Sequence, residues 1–466
     1  KSQQEVSWLQ GNYQDRRFSI SATIARPRGR SASYSFVGLN RVQGPYRILA
    51  EGQIRAIIPG SEKVWLDGEL LERGADKDYI VDYPASTITF ATGVPIDSRS
   101  RIEVDFEPLL DDYLRELYDF SGGVSREDST LHFNFGFYRE SDDSRRLRSG
   151  ELSQADRNLL QNIGDSVAIN FRDGAVADTG GAYLARSDST GNRYYEYVGA
   201  GNGDYSVVFS SAGSGRGDYI YQGDSVYSYV GSGKGDYRAA IKVPVPSGEN
   251  LYEASLGWHP IDKGTIAIQF RHADLDKNLL SSRDDGNNAG QNYQIVAGYG
   301  KSPAVYSDSF GVSLAVEISG KNYQPYARQI GPDPARQYFI PDNYAGISNR
   351  KEFTAKSAAA IYGPYNFLYD GGYIDYSDQF HSYRNGVTLY PDDITSYFPQ
   401  LNLATIRTGY DTAGSIYRGQ GDLYRMQWRH ALNQRITLES NLKYERRQNN
   451  YQRRWRGTTE KEINLG

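Results

Sequence analysis

The segment Leu131-His132-Phe133-Asn134-Phe135-Gly136-Phe137-Tyr138 alternates four large apolar side chains with His, Asn, Gly and Tyr. A period of two is typical of a β-strand, because successive side chains of a strand point to opposite faces. The pattern fits a soluble sheet with one face on a packed core. It equally fits an outer-membrane barrel strand, with its apolar face in lipid and its polar face in water. The segment therefore predicts a strand and leaves two environments open for the phenylalanine face.

The same alternation recurs along most of the 466 residues, and long helical periodicity is nearly absent. Two strand pairs are predicted around short turns, Leu251–His259 with Thr265–His272 and Arg425–His430 with Arg435–Tyr444. Other predicted strands are Glu5–Tyr13, Arg17–Ala25, Ser166–Phe171, Tyr293–Tyr299, Phe310–Ile318, Phe353–Tyr362, Asn366–Tyr376 and Asn402–Tyr410. The predicted fold class is therefore all-β.

The predicted connections fall into two length classes. Pro260–Gly264 and Ala431–Gln434 are short turns, whereas the polar stretches Ala273–Gln291 and Glu445–Thr459 are much longer. Short turns on one side and long polar loops on the other are typical of an outer-membrane barrel. A soluble sandwich has no reason to separate them. We therefore expect a transmembrane antiparallel β-barrel, with the Phe face of Leu131–Tyr138 in lipid, and a soluble all-β assembly is the alternative.

Composition removes several classes of protein. No apolar run approaches the ~18 residues that a membrane-spanning helix needs. The absence of cysteine excludes disulfide scaffolds, thiolate zinc sites, iron–sulfur clusters and cysteine nucleophiles. The 52 Lys and Arg residues nearly balance the 57 Asp and Glu residues, so nucleic acid is not an expected partner of the whole chain.

Residues 45–109 depart from the long alternating pattern. Short strands are predicted at Arg47–Ile58, Val64–Leu66, Tyr79–Tyr83, Ser86–Phe90 and Arg101–Phe106. They are too short to cross an apolar band ~25 Å tall, so we expect a small β-sandwich-like domain outside the membrane. Its predicted core consists of Trp65, Leu66, Ile88, Phe90, Ile102, Val104 and Phe106.

One short loop helix is predicted at Ser153–Ile163. Ser153 with Asp156 three positions later resembles a capping box. Leu159 and Leu160 supply an apolar patch, and Gly164 can end the helix.

The pattern G-x-G-D-Y occurs three times, at Gly201–Tyr205, Gly215–Tyr219 and Gly233–Tyr237. The intervals of 14 and 18 residues are too uneven for a solenoid. We interpret the copies as glycine turns that join short tyrosine-rich strands. The Arg-Gly-Asp of the second copy belongs to this repeat and does not indicate an integrin ligand.

A family resemblance rests on the 45–109 region and on the paired Y-V-G-x-G-x-G-D-Y segments at Tyr197–Tyr205 and Tyr229–Tyr237. The residues that carry it in the small domain are Pro59–Gly68, Arg73-Gly74, Asp78–Tyr83, Ile88–Phe90 and Ile102–Glu107. These segments resemble a small β-module of large surface-exposed outer-membrane barrel proteins of Gram-negative bacteria. The module is similar in kind to those of the translocon barrel of gliding motility and type IX secretion. The resemblance covers about a fifth of the chain, and the translocon is several times longer. It implies an outer-membrane, surface-related protein and carries over no catalytic residues.

Candidate catalytic residues are few. Gly-Asp-Ser-Val occurs at Gly164–Val167 and Gly223–Val226, and Asp378–His381 supplies a D-x-x-H, an arrangement that resembles certain serine esterases. Those enzymes need an α/β body, whereas both serines here precede alternating β patterns. None of the five histidines has zinc-binding spacing. We therefore assign no catalytic, cofactor-binding or metal residues, and expect neither enzyme activity nor a cofactor.

Two charged stretches remain. Asp274–Asn278 and Asp284–Asn288 concentrate oxygen ligands in one predicted loop, without the Gly and Glu that an EF-hand would have at Leu279 and Asp285. A solvated loop is the simpler interpretation, and a calcium or magnesium site is the alternative. Beyond Tyr444, a predicted outer loop carries arginines that we expect to meet the phosphorylated headgroups of lipopolysaccharide, with an ordinary charged loop as the alternative. These arginines are Arg446, Arg447, Arg453, Arg454 and Arg456.

The sequence thus predicts N-terminal strands at 1–44, a small β-domain at 45–109 and an outer-membrane barrel region at 110–466. The expected function is a non-enzymatic surface scaffold or secretion-related component of the bacterial outer membrane. A diffusion porin or uptake channel and a soluble adhesin or filament subunit are the alternatives. Expected partners are outer-membrane lipid and lipopolysaccharide. Because Glu460–Gly466 is too short to cross a membrane, we also expect further subunits or additional chain to close the barrel.

Overall fold

The computed structural model describes residues 8–26, 32–48, 57–98, 100–107, 112–148, 151–165, 170–212, 215–300, 310–324, 338, 349–360, 365–376, 380–391, 400–412, 415–433, 436–449 and 453–465. These residues form an all-β structure with a single α-helix among them, as the sequence predicts. None of the helical segments within these ranges has the length and apolar character needed to span a membrane. Most of the strand predicted at Ser166–Phe171 lies outside the described residues.

The strands and the helix are numbered in chain order. The first ten strands are β1 (Trp8–Gln14), β2 (Phe18–Ala25), β3 (Ala32–Val37), β4 (Tyr46–Arg47), β5 (Lys63–Leu66), β6 (Glu69–Leu70), β7 (Tyr79–Asp82), β8 (Thr87–Phe90), β9 (Arg101–Phe106) and β10 (Tyr113–Ser125). Next come β11 (Leu131–Leu147), α1 (Gln154–Ile163), β12 (Phe171–Asp173), β13 (Ala175–Gly181), β14 (Tyr183–Ser187), β15 (Arg193–Tyr197), β16 (Gly203–Val207), β17 (Ser210–Ser211), β18 (Tyr219–Gly223), β19 (Val226–Tyr229), β20 (Tyr237–Arg238) and β21 (Ala240–Lys242). The last are β22 (Gly248–Trp258), β23 (Gly264–Asp276), β24 (Ala289–Gly300), β25 (Phe310–Ser319), β26 (Arg350–Ala360), β27 (Tyr365–Tyr376), β28 (Phe380–Pro391), β29 (Gln400–Thr412), β30 (Ser415–Asn433), β31 (Ile436–Asn449) and β32 (Arg453–Leu465).

One antiparallel sheet of fifteen strands dominates the structure, in the order β1-β2-β10-β11 followed by β22 to β32 in sequence. The strand predicted at Leu131–Tyr138 lies within β11, and the alternating segments predicted between Leu251 and Tyr444 lie within β22–β27 and β29–β31. These predictions are confirmed over the described residues. Strands β10 and β28 were missed. At the centre of β28 lies Asn385-Gly386, a pair that favours turns.

The two N-terminal strands belong to this same sheet. β2 pairs with β10 from Phe18 opposite Val124 to Ala25 opposite Leu117, so the chain leaves the sheet after Ala25 and returns at Tyr113. Grouping residues 1–44 apart from the main sheet was therefore wrong, and β3 pairs instead with β9. Alternation identifies strands, but it holds no information about partners that are distant in sequence.

The residues from β3 to β9 contain two small sheets, β3-β9-β5-β6 and β4-β8-β7. Their shared core includes Ile102 and Val104, both 0% exposed, and Phe106, 2% exposed. All seven residues of the predicted core are buried, so this prediction is confirmed. The start predicted at residue 45 is too late, because β3 pairs with β9 along its whole length.

The predicted loop helix is confirmed as α1. The Ser153 hydroxyl accepts a hydrogen bond from the Asp156 backbone N–H at 3.1 Å, and the Asp156 carboxylate accepts one from the Ser153 N–H at 3.3 Å. Gly164 follows the last turn with a positive φ of 58°, a conformation that glycine adopts readily. Leu160 is fully buried against Tyr113 of β10, Leu152 and Val243, which fixes the helix to the sheet.

Strands β13–β20 form a tyrosine-rich unit, which we call the aromatic unit. It contains two four-stranded sheets, β13-β16-β14-β15 and β17-β20-β18-β19, so both have the strand order first, fourth, second, third. The tyrosine rings contact one another within and between the sheets. Tyr194 stacks on Tyr229 with ring centroids 4.3 Å apart, and Phe209 stacks on Tyr227 at 4.4 Å. The G-x-G-D-Y pattern therefore belongs to a structural duplication.

The two glycines of each G-x-G-D-Y copy have different roles. The first, as at Gly233, has a positive φ and lies in a turn, as predicted. The second lies where two strands cross: a Cβ on Gly203 would be 2.4 Å from the Tyr183 nitrogen, and one on Gly235 would be 2.3 Å from the Tyr219 carbonyl oxygen. Glycine is required there because the two backbones approach too closely for a side chain.

The C-terminal strands correct the predicted loop at Glu445–Thr459. β31 continues to Asn449, and β32 begins at Arg453 and pairs with β31 through Leu465. The arginines expected in an outer loop therefore lie on paired strands, with Arg447 opposite Arg454. Their charge suggested a loop, but strand pairing requires only backbone groups and tolerates charged side chains outside a packed core.

We expect Gly235→Ala to disrupt the aromatic unit, because the new methyl group would overlap the Tyr219 backbone. Overpacking typically costs ~1–3 kcal/mol, and a clash with backbone cannot be relieved by a rotamer change. Limited proteolysis of the purified full chain should show faster cleavage between β17 and β20. Gly286→Ala is the matched control, since its added Cβ would meet open space; equal protection of the two variants would contradict the expectation.

Candidate functional site

The large sheet has two unlike ends. At one end, which we call the insertion end, β2 connects to β10 through residues 26–112, and β11 connects to β22 through residues 148–247. These connections contain the small domain, α1 and the aromatic unit. The connections 277–288 and 320–349 leave from the same end, because neighbouring strands are antiparallel. The insertion end is therefore where the chain places most of its structure outside the sheet.

The opposite end, which we call the turn end, has short connections at 15–17, 126–130 and 259–263. The predicted separation of loop lengths is thus present from β1 to β26. It is absent from β27 to β32, where the insertion-end connections have only two or three residues, at 377–379, 413–414 and 450–452.

One face of the large sheet, which we call the apolar face, carries large hydrophobic side chains that are open to the surroundings. Ile20 is 48% exposed, Ile295 50% and Leu314 56%. The pairing register places these residues on one face with the other exposed hydrophobics of the sheet. They include Leu9, Tyr13, Phe18, Ile24, Phe120, Val124, Leu131, Phe133, Phe135, Leu256, Trp258, Ile268, Tyr293, Tyr299, Phe310, Ile318, Phe353 and Tyr383. A sheet packed on its own core would bury such residues.

The opposite face, which we call the polar face, buries charged and amide side chains. Arg350 of β26 is 1% exposed and lies 3.0 Å from the Glu317 carboxylate and 3.4 Å from that of Glu352. The Asn292 amide, 0% exposed, donates to Glu317 at 2.9 Å and to the Ser319 hydroxyl at 2.8 Å. The buried Arg350 charge therefore has carboxylates beside it, as buried charges require. The polarity of this sheet is inverted relative to that of a soluble sheet.

A second buried ion cluster lies where the chain leaves and rejoins the sheet. Arg115 of β10 contacts Glu140 at 3.0 Å and Asp142 at 2.8 Å, both on β11. Asp142 also accepts a hydrogen bond at 2.8 Å from the backbone N–H of Ser247, the residue before β22. The cluster therefore holds β10, β11 and β22 together at the insertion end.

The connection 277–288 caps the C-terminus of α1. The Asn278 side chain, 0% exposed, donates from Nδ2 to the carbonyl oxygens of Leu160 and Gly164, both at 2.7 Å. The Ser281 hydroxyl donates to the Gln161 carbonyl at 3.0 Å, and Arg283 donates to that of Asn162 at 2.7 Å. The last carbonyls of a helix lack partners within it, so this polar loop completes the helix and is more than a solvated connection.

Three carboxylates converge beside this cap, in what we call the acidic cluster: Asp165 after α1, Asp276 at the end of β23 and Asp285 in the loop. One oxygen of each lies within 4.8 Å of the other two. The sequence singled out Asp276 and Asp285 as possible cation ligands, and the structure brings those two together. It missed Asp165, whose approach depends on how α1 docks; Asp274 and Asp284 are not in the group.

The electrostatics of the acidic cluster oppose ionisation. Burial raises the pKa of Asp165 above its ordinary value of 3.8, and the charges of Asp284 and Asp285 raise it further, against the lowering effect of Lys277. Oxygen ligands of this kind are those that Ca²⁺ and Mg²⁺ prefer, so Asp165, Asp276 and Asp285 are the described residues that could hold such an ion. The calcium or magnesium alternative stays a prediction.

The esterase-like motifs do not form a catalytic arrangement in the described residues. Gly164 ends α1, and Ser166 and Asp378 lie outside the described residues. Asp224 and Ser225 have positive φ angles of 48° and 63° and form the tight turn between β18 and β19. His381 lies within β28. The second Gly-Asp-Ser-Val is therefore a hairpin turn.

In the small domain, the residues that carry the family resemblance have structural roles. The Glu62 side chain, 1% exposed, lies 3.0 Å from the Arg73 guanidinium and accepts a hydrogen bond from the Tyr83 hydroxyl at 3.1 Å. Burial raises the pKa of Tyr79 to about 12. The Asp78 carboxylate accepts from the Glu72 N–H at 2.7 Å. These residues satisfy buried or turn groups within the domain, and their arrangement offers no exposed reactive centre.

Comparison with known proteins gives one family match. A family model described as "Domain of unknown function (DUF8818)" matches residues 31–108, which span β3 to β9, the small domain. The match covers about a sixth of the chain. No curated protein matches the chain.

We expect Asn278→Ala to loosen α1, because the Leu160 and Gly164 carbonyls would lose their common donor. Leaving a buried polar group without a partner costs ~1–3 kcal/mol. Hydrogen–deuterium exchange of the full chain should show faster exchange in α1, with the strands of the large sheet unchanged. The exposed Asn287→Ala in the same loop is the control, and equal α1 exchange in the two variants would contradict the capping role.

We expect Asp165→Asn to stabilise the chain at neutral pH. A raised folded-state pKa means that the folded protein binds this proton more tightly than the unfolded chain, so Asp165 lowers stability as pH rises above about 4. The midpoint of thermal unfolding should be higher for Asp165→Asn at pH 7 and equal to wild type at pH 3. The opposite sign at pH 7, with a wild-type midpoint that rises on adding calcium, would indicate that the cluster holds a cation.

Proposed function

We propose that the fifteen-stranded sheet is the wall of a bacterial outer-membrane β-barrel, and that the protein acts there without enzymatic activity as a surface scaffold or secretion-related component. The observation that carries the proposal is the inverted polarity of the sheet. Side chains of Ile295 and Leu314 are half exposed, while Arg350 and Asn292 on the other face are almost fully buried. In lipid this arrangement is favourable, because the apolar face meets hydrocarbon and the polar face encloses water or ion pairs.

Strand length supports the same environment. A tilted strand needs about 9–11 residues to cross the hydrocarbon core, and β22 to β27 contain between 10 and 13. The exposed large hydrophobics of β22, β24 and β25 lie an even number of positions apart within each strand, and Ile268 of β23 and Phe353 of β26 lie on the same face. The wall would therefore present a continuous apolar band of sufficient height.

The insertion end supports a role at the cell surface. Outer-membrane barrels have short periplasmic turns and longer extracellular connections, so the small domain, α1 and the aromatic unit would lie outside the cell. The small domain matches a family of unknown function and resembles modules of a surface translocon barrel. In the small domain Glu62 pairs with Arg73 and Tyr83, and in the aromatic unit the Tyr229 hydroxyl donates a hydrogen bond to Asp188. Internal pairing of this kind suits a binding or scaffolding role.

The test places one charge on each face of the same strand. Ile295→Arg should cost ~2–4 kcal/mol if the residue lies near the bilayer midplane, and the yield of heat-resistant, folded protein in the membrane should fall. Gln294→Arg on the polar face is the matched control and should fold normally. The wild-type chain should be extracted from membranes by detergent and not by high salt.

Two results would overturn the proposal. One is equal tolerance of arginine at Ile295 and Gln294, since a half-exposed isoleucine of a soluble protein accepts charge at little cost. The other is release of the chain by salt, which would favour the soluble adhesin. Steady conductance in planar bilayers would add a conduit role to the scaffold.

A further inference from the structure

We infer that the wall is completed between β32 and β1 by an odd number of further strands, supplied by a segment that lies outside these fifteen strands. The inference rests on the proposed barrel. It follows from the direction of the two edge strands.

All neighbouring pairs of the fifteen-stranded sheet are antiparallel. Strand direction reverses at each of these fourteen pairs. An even number of reversals leaves β32 running in the same direction as β1. The two edges are thus parallel to each other.

Each edge has one partner in the described part of the chain: β1 pairs with β2, and β32 pairs with β31. The seven residues of β1 and the thirteen of β32 therefore present a row of backbone N–H and C=O groups on their open sides. Such groups cannot stay unpaired in hydrocarbon, which is why membrane-spanning sheets close.

Direct contact of β1 with β32 would close the sheet through a parallel pair. Parallel pairing has slanted hydrogen bonds and is slightly less stable per residue, and single-chain bacterial barrels have even strand numbers. One inserted strand, or any odd number, makes both new seams antiparallel like every other pair in the sheet.

A second copy of this chain does not solve the problem. Copies related by rotation about the membrane normal keep their direction, so β32 of one would again meet β1 of the next in parallel. A two-fold axis in the membrane plane would give antiparallel seams but would place the two insertion ends on opposite sides of the membrane. The completing segment therefore has a different sequence.

The β1 edge defines the chemistry of this segment. Leu9 and Tyr13 are 72% and 60% exposed on the apolar face, and they alternate with Gln10 and Asn12 on the polar face. A neighbouring strand must alternate in the same way, with apolar side chains toward lipid and polar side chains inward. The partner is accordingly an amphipathic β-segment that runs antiparallel to both edges.

The test maps the neighbours of both edges by photo-crosslinking. The photoreactive residue p-benzoylphenylalanine replaces Leu9 or Tyr13 on β1, and Thr459 or Ile463 on β32, one at a time, in the detergent-extracted protein. Mass spectrometry of the crosslinked peptides identifies the neighbour. The expected result is a peptide from outside the fifteen strands, with alternating polarity. Its residues should be contacted in reversed order, so that the site crosslinked from Leu9 lies C-terminal to the site crosslinked from Tyr13, and likewise on β32.

The control is the same photoreactive residue at Leu256, which should crosslink to β11 near Phe133 and β23 near Ile268, its paired neighbours. Crosslinks between β1 and β32, crosslinks to a second copy in a mixture of isotope-labelled chains, contacts in parallel order, or no edge crosslinks while Leu256 reacts would each overturn the inference. Tolerance of Ile295→Arg would instead overturn the proposed barrel, so the two failures are distinguishable.

Discussion

The backbone hydrogen-bond ladder of the fifteen-stranded sheet is the constraint on which the rest of the structure depends. It continues from β2 to β10 across residues 26–112 and from β11 to β22 across residues 148–247. Both insertions must therefore start and finish at adjacent strand ends. Arg115, with Glu140 and Asp142, holds one of these junctions. The small domain and the aromatic unit can vary in content without disturbing the ladder, because only their ends are fixed.

The ion pairs of the polar face are better understood as a condition for folding than as a source of stability. Removing charges from water costs more than a single pair returns unless further hydrogen bonds complete the arrangement. Arg350 lies beside two carboxylates, and Tyr338 adds a hydrogen bond from its hydroxyl to Glu352 at 3.1 Å. The Ser382 hydroxyl donates to the Tyr338 carbonyl at 2.7 Å. Residues from β25, β26 and β28 are thereby linked through one buried network.

Local patterns predicted the elements that depend on local physics. Alternation identified most strands of the sheet, and the Ser153–Asp156 spacing predicted the cap of α1. The burial of Ile102 and Val104 follows from the same kind of reasoning. Strand β28 was not predicted because Asn385-Gly386 favours a turn in isolation. Pairing with β27 and β29 on either side overrides that preference.

Features that depend on distant contacts could not be predicted from the sequence. The pairing of β2 with β10 joins segments about ninety residues apart, and no periodicity encodes such a partner. Asp165 was recognised only as part of the Gly-Asp-Ser-Val motif, since its neighbours Asp276 and Asp285 lie more than a hundred residues later in the chain. For the same reason, the sequence did not predict that the arginines of β31 and β32 lie on strands. Only the pairing of these two strands shows it.

The insertion end combines these local and distant features into one packed junction. Loop 277–288 caps α1, α1 buries Leu160 against Tyr113 of β10, and Val243 after the aromatic unit joins the same cluster. The Asn170 side chain donates to the Val243 carbonyl at 2.7 Å, which joins the two segments that flank the aromatic unit. Because the aromatic unit is held at its base by these contacts, the sheet sets its orientation, and the proposed scaffold role requires this.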